Sequence, residues 1–401
     1  MSSDFNAELH ARPSIYFTGP SLVEHVALMP TGSVKQDGER CVSGNRGEDD
    51  SVRTQVEYHT EFVTVTRVTT LEREVKDWPT SNLSMLNVTD LIGASSAQLV
   101  CRIGILVLGP APSELGPTLL EFGFRDTAAS SIGGGAAQVC SDFRVRDDQS
   151  SRILLFNKEL NAYRLGRMVR RVCEIETYRS MALLGLPEAR RLAPLLRSYD
   201  RELVELTNRH QSMRTSEHRT LLEDISRLSG QIISASAETR NRFGASSAYA
   251  KIVEERIREL RETHVPGFQR FGVFVARRFK PAVRTCEASA LRLDQLSNAT
   301  MHLIDLLQTR IQVEIEYQNA VQIQAVAERA ATQVKIQRAV EGFSIIAISY
   351  YLLGLLKILF ETGEHAGYHV SPMVMLVSIP LVIGAVSISV LRIKHALSVP
   401  A

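Results

Sequence analysis

No CxxC pair occurs anywhere in this chain, and its five cysteines (Cys41, Cys101, Cys140, Cys173, Cys286) are scattered and odd in number. That usage argues against a thiolate zinc site and a disulfide framework, and it fits a reducing compartment. One-signed charge is missing as well. The 46 basic residues face 44 acidic ones, so no global field attracts nucleic acid, and none is expected as a partner. Pairs such as Arg170-Arg171, Arg190-Arg191 and Arg277-Arg278 alternate with acids, which describes solvated helix faces. The first residues, MSSDFNAELHARPS, lack a basic segment followed by an apolar one, so no signal peptide is expected.

Catalytic motifs are absent too. The run Ile132-Gly-Gly-Gly-Ala-Ala137 carries no Lys-Ser or Lys-Thr to reach a phosphate, and it precedes a strand instead of a helix. It reads as a turn. His59-Thr60-Glu61 has the spacing of a zinc deaminase, but no PCxxC follows. No Ser, Cys or Lys nucleophile has a recognisable context. The reading is therefore non-enzymatic, with no cofactor.

What the chain does have is two apolar runs near its end. GFSIIAISYYLLGLLKILF covers 342–360 and MVMLVSIPLVIGAVSISVL covers 373–391. Each approaches the ~20 residues that cross a bilayer as a helix. Lys335 and Arg338 precede the first run, and Arg392, Lys394 and His395 follow the second. The turn at 361–372 has no Lys or Arg. The positive-inside rule therefore predicts a two-helix hairpin in the lipid bilayer, both termini in the cytoplasm and the turn outside.

Before the hairpin, residues 1–157 predict a cytoplasmic α+β or α/β domain. Strands are expected at 22–29, 56–68 and 98–109, with a hairpin at 136–147 and 152–157. Short helices are expected at 87–94 and 117–124, and a polar, mobile loop at 31–54. Helical periodicity takes over at 158–281, in helices at 160–184, 188–210, 217–242 and 247–263. A stalk helix without proline or glycine follows at 282–341, then the first span, the turn, the second span and a basic tail at 392–401.

Two groups of residues stand out. On a strand, His59 and Glu61 would share one face, which permits joint ligation or proton transfer. Glu174, Glu176 and Arg179 form an acidic–basic run in which Glu176 and Arg179, three apart, can pair on a helix. The second group is a heptad-spaced stripe that runs from Ala299 along the stalk. It continues through the first span as Ser344, Ala347, Tyr351, Gly354 and Ile358. Small and polar members suit close helix packing, within one chain or around the axis of a homo-oligomer.

The segments ELHARP (8–13), HTEF (59–62), SDFR (141–144), EIETYRSMALLGLP (174–187) and VEGFSIIAISYYLLGLLK (340–357) together resemble bacterial membrane proteins grouped as domain of unknown function 3422. The resemblance covers nearly the whole chain. It implies a multi-pass protein of the bacterial cytoplasmic membrane and carries no activity. The architecture is also similar to CorA-type divalent-cation transporters, whose first span ends in Gly-Met-Asn. Here Phe360-Glu-Thr-Gly-Glu364 stands at that place. The expectation is an oligomeric membrane protein that passes or senses a divalent cation. Its rival is a tethered scaffold whose hairpin only anchors it.

Overall fold

The computed structural model describes residues 15–31, 41–44, 51–73, 75–81, 83–212, 217–365 and 371–398. Most of the 31–54 loop and all of ELHARP lie outside the described residues. In chain order the elements are β1 (Ser21–Pro30), β2 (Cys41–Gly44), β3 (Val52–Tyr58), β4 (Val63–Thr70), α1 (Met85–Ile92), β5 (Ala97–Leu108), α2 (Leu115–Glu121), β6 (Ala128–Ile132), β7 (Ala137–Val145) and β8 (Ser150–Asn157). Helices α3 (Ala162–Leu183), α4 (Gly185–Ser212) and α5 (His218–Glu259) follow. After them come the two-residue β9 (Thr263–His264), the long α6 (Phe271–His365) and α7 (Pro372–Ser398).

Among the described residues the sheet has nine strands in the order β2-β3-β4-β1-β5-β8-β7-β6-β9. Neighbours are antiparallel except β5 and β8, which run parallel. An N-terminal sheet followed by helices is an α+β architecture. The chain forms two compact units, Met1–Asp305 and Leu306–Ala401. Sheet and helices up to Asp305 therefore share one unit, and β9, from beyond residue 158, completes the sheet edge beside β6.

β1 explains why the sheet is covered on both faces. Leu22, Val26 and Leu28 point one way and Val23 and Ala27 the other, and all are buried. Each face of this strand also buries one ionisable side chain. Glu24 faces the loop before α1, where it accepts hydrogen bonds from Ser81 Oγ and, at 3.3 Å, from the Leu83 N–H. His25 faces α3.

Four expectations need correction. The segment 31–54 is not a loop throughout: Cys41–Gly44 is strand β2, held by antiparallel pairing with β3, which itself begins at Val52. The strand at 56–68 is two strands, because the chain reverses at 59–62 and the His59 N–H donates to the Phe62 carbonyl at 2.9 Å. The helices at 217–242 and 247–263 are one helix, α5: Gly244 costs helix stability but packing retains it. The stalk helix starts at Phe271, well before 282, and runs through Pro281. Its first turn is secured locally. Glu262 Oε2 accepts from the Gly272 N–H and Ser130 Oγ, both at 2.9 Å, and Ser130 Oγ accepts from the Phe271 N–H at 2.8 Å. Orphan amides at a helix start need such partners, and no N-cap pattern in the sequence marks them. The three glycines at 133–135 do form a turn, between β6 and β7, all at positive φ.

In the second unit, α6 is long and apolar enough to cross a membrane. The apolar stretch of α7, Leu376–Arg392, is shorter. Within the apolar run 342–360 of α6 the side chains turned from solvent are Ile345, Ser349, Leu353, Leu356 and Phe360. The predicted stripe is a different face. Ser344, Ala347, Tyr351, Gly354 and Ile358 are all exposed within the chain, Tyr351 by 73% and Ile358 by 64%.

Candidate ligand cavity

Helix α3 lies against the sheet face formed by β1, β4 and β3. Its residues Gly166, Val169, Arg170, Cys173, Glu174, Thr177 and Tyr178 recur three and four apart, so they share one face. Register sets the opposing rows. Val23 pairs with Val68, His25 with Thr66, and Ala27 with Thr64 across β1 and β4. Gln55 and Glu57 of β3 sit beside Thr66 and Thr64. Between the layers is a cavity of about 50 Å3, lined also by Ile15, Phe17, His59 and Phe62. At roughly 10–15 Å3 per water it holds a few water-sized molecules.

His25 is held on both sides: Nδ1 is 2.8 Å from Thr66 Oγ1 and Nε2 is 2.9 Å from Thr177 Oγ1. Burial lowers its pKa to about 3, and His59 and Arg170 push in the same direction. It is neutral, so one ring nitrogen donates and the other accepts. Arg170 is the cation of the wall. It bonds Glu57 at 3.2 Å and Glu174 at 2.8 Å. The second oxygen of Glu174 meets Arg256 of α5, which also pairs with Glu259 at 2.9 Å, and Glu259 reaches back to Arg171 at 2.9 Å. This chain of ion pairs ties β3, α3 and α5 together.

The predicted polar cluster divides. His59 and Glu174 both line the cavity. Glu61 does not share a face with His59, because both lie in a turn. It pairs with Arg242 of α5 at 3.0 Å and hydrogen-bonds Tyr249. Glu176 and Arg179 pair at 2.5 Å next to Cys101, off the cavity. His59 stacks on Phe62 at 4.2 Å, and Tyr178 meets Phe62 edge-on at 6.0 Å. HTEF and EIETYR, far apart in the sequence, thus build one wall.

Chemistry at the wall is limited. Burial raises the Cys101 thiol to about 11 and the Cys173 thiol well above its ordinary range, so neither offers a thiolate at neutral pH. Among the described residues no group of three or more His, Cys, Asp or Glu side chains is placed to hold a metal ion. The arrangement is suited to holding a molecule. Sequence reasoning missed His25, Gln55, Glu57, Thr64, Thr66, Arg170 and Thr177. His25 was the one with a signal, as a polar residue inside the apolar run LVEHVALM.

Comparison with known proteins gives one match. A family model described as Protein of unknown function (DUF3422) matches residues 3–397. No curated protein matches, and no solved structure matches. The similarity to CorA-type transporters finds no support in these comparisons.

Proposed function

From the premise that the chain belongs to the DUF3422 family, which brings no activity with it, we propose that it is a membrane-anchored sensor of the bacterial inner membrane. The unit up to Asp305 binds a small molecule in the cavity beneath α3. The end of α6 and α7 form a two-span hairpin that tethers this unit on the cytoplasmic side. One observation carries the reading: a cavity with apolar walls and a hydrogen-bonding end of His25, Thr64, Thr66 and Thr177 lies in the unit from which α6 starts, and α6 ends as a helix apolar enough for a bilayer. An interior packed only for stability has few voids larger than a water molecule.

The protein acts as a homo-oligomer. Between the first unit and the apolar run, α6 exposes Val313, Ile315, Tyr317, Val321, Ile323 and Val334. A helix apolar on several sides is covered by neighbours. Its charges balance over 306–341: Arg310, Arg329, Lys335 and Arg338 against Glu314, Glu316, Glu328 and Glu341. A second copy therefore meets no net repulsion. A cation path along the exposed stripe is the competing reading, and a tethered scaffold without a ligand is the third.

Cysteine crosslinking in carbonate-washed membranes tests this assembly. Ala347→Cys and Gly354→Cys should join protomers, and Leu353→Cys, on the shielded face, much less. Gly354→Leu should weaken the oligomer, since membrane helices associate through close packing. A protein that washes off with carbonate, or one that stays monomeric with no crosslink at either position, contradicts the proposal.

A further inference from the structure

The cavity has a polarity gradient that follows from strand register. At one end Val23 stands beside Val68, with Phe17, Val169 and Gly166 around them. Two residues further along, the same sheet face carries His25, Thr66 and Gln55, and two further again Thr64 and Glu57. An apolar pocket thus opens toward a hydrogen-bonding end within one small volume. Small-molecule sites have this composition, with apolar walls and a few placed polar groups.

Charge decides the ligand class. Each ionised group of the wall already has an opposite charge in contact: Arg170 with Glu57 and Glu174, and Glu174 with Arg256. A ligand bearing net charge would lose its hydration in this half-enclosed space and meet no counter-charge left over for it. The neutral groups differ. His25 is occupied by two threonines, but the Thr64 hydroxyl, in a residue only 5% exposed, has no hydrogen-bond partner among the described residues. A hydroxyl can donate and accept, so it suits an uncharged alcohol or amide head group.

Resting on the sensor reading above, we propose that the cavity takes a small uncharged amphiphile, its apolar end against Val23, Val68 and Val169 and its hydroxyl or amide head at Thr64. The probes are butyramide, its isosteric anion butyrate and butylammonium. Each is titrated into the full chain in lipid nanodiscs by ligand-observed NMR, with empty nanodiscs subtracted. Butyramide should saturate, and both ions should bind at least about tenfold more weakly. Thr64→Val, nearly the same size, should weaken butyramide by about fivefold, the worth of one hydrogen bond. Val169→Phe should abolish binding by filling the apolar end, with Val68→Leu as the milder variant if the ring unfolds the chain. If an ion binds more tightly than butyramide and the filling variant still abolishes it, the ligand class is wrong and the sensor reading stands. If no probe binds, or binding ignores both filling variants, the cavity is not a ligand site and both proposals fall.

Discussion

Replacing Arg170 with alanine should destabilise the protein by about 3 kcal/mol, more than any single surface ion pair accounts for. The reason is the position of the guanidinium. It touches both Glu57 and Glu174, and the three side chains are 25%, 14% and 20% exposed. Deleting one partner of a buried pair leaves the other charge desolvated and unmatched, and that penalty exceeds what the pair contributes when intact. Partial exposure places the cost at the low end of the buried range. Glu174 keeps Arg256, whereas Glu57 loses its guanidinium partner and keeps the neutral Gln55 amide at 3.0 Å and His59 at 3.9 Å. Glu57→Gln in the same chain should therefore recover a large part of the loss. Urea unfolding of the single and double variants in detergent checks both statements. A loss under 1 kcal/mol for Arg170→Ala, or no recovery, would show that solvent already screens this network.

Acid should act mainly through His25. In the unfolded chain it titrates near the ordinary histidine value of 6.5, and in the folded protein near 3. Between those values the unfolded chain binds a proton that the native chain excludes. Stability therefore falls as pH falls through this window and is unaffected by this group above it. The slope is about 1.36 kcal/mol per pH unit, or on the order of 4–5 kcal/mol by pH 3. His25→Asn keeps a polar side chain between Thr66 and Thr177 but does not titrate. Its stability between pH 6 and 5 should be flatter by close to one proton, whatever its absolute value. Parallel slopes for the two proteins would mean that His25 takes up its proton in the fold.

Much of the fold was legible because burial leaves period-two and three-to-four patterns in sequence. β1 is legible from apolar alternation, β5 as a short apolar run ended by Gly-Pro, the β7–β8 pair as a hairpin, and α3 from its three-to-four repeat. The turn at 59–62 was not, because VEYHTEFVTVTRV keeps its strand composition straight through the reversal. No Gly, Pro or Asn marks it. The long α6 was cut short at Pro281 because proline normally interrupts a helix interior. The candidate site was legible only in halves. HTEF and EIETYR stood out as segments, yet nothing local says that Glu174 turns toward His59 while Glu176, two residues on, turns away to Arg179. Helical phase makes that choice once α3 is docked. Thr64, Thr66 and Thr177 give no local signal, since threonine in a strand or helix is unremarkable until a histidine lies between two of them.

The most direct test of the anchored-sensor account is cysteine labelling in intact cells with a membrane-impermeant maleimide, in a Cys41→Ser background. Cys140, Cys173 and Cys286 are buried in the fold and Cys101 is half-buried. A cysteine at Gly363, beyond the apolar run of α6, should be labelled from outside. One at Val145, a surface position 72% exposed on the sheet unit, should react only after permeabilisation. Labelling at position 145 in intact cells, or none at 363 until the membrane is opened, would contradict the two-span hairpin and the cytoplasmic placement of the cavity.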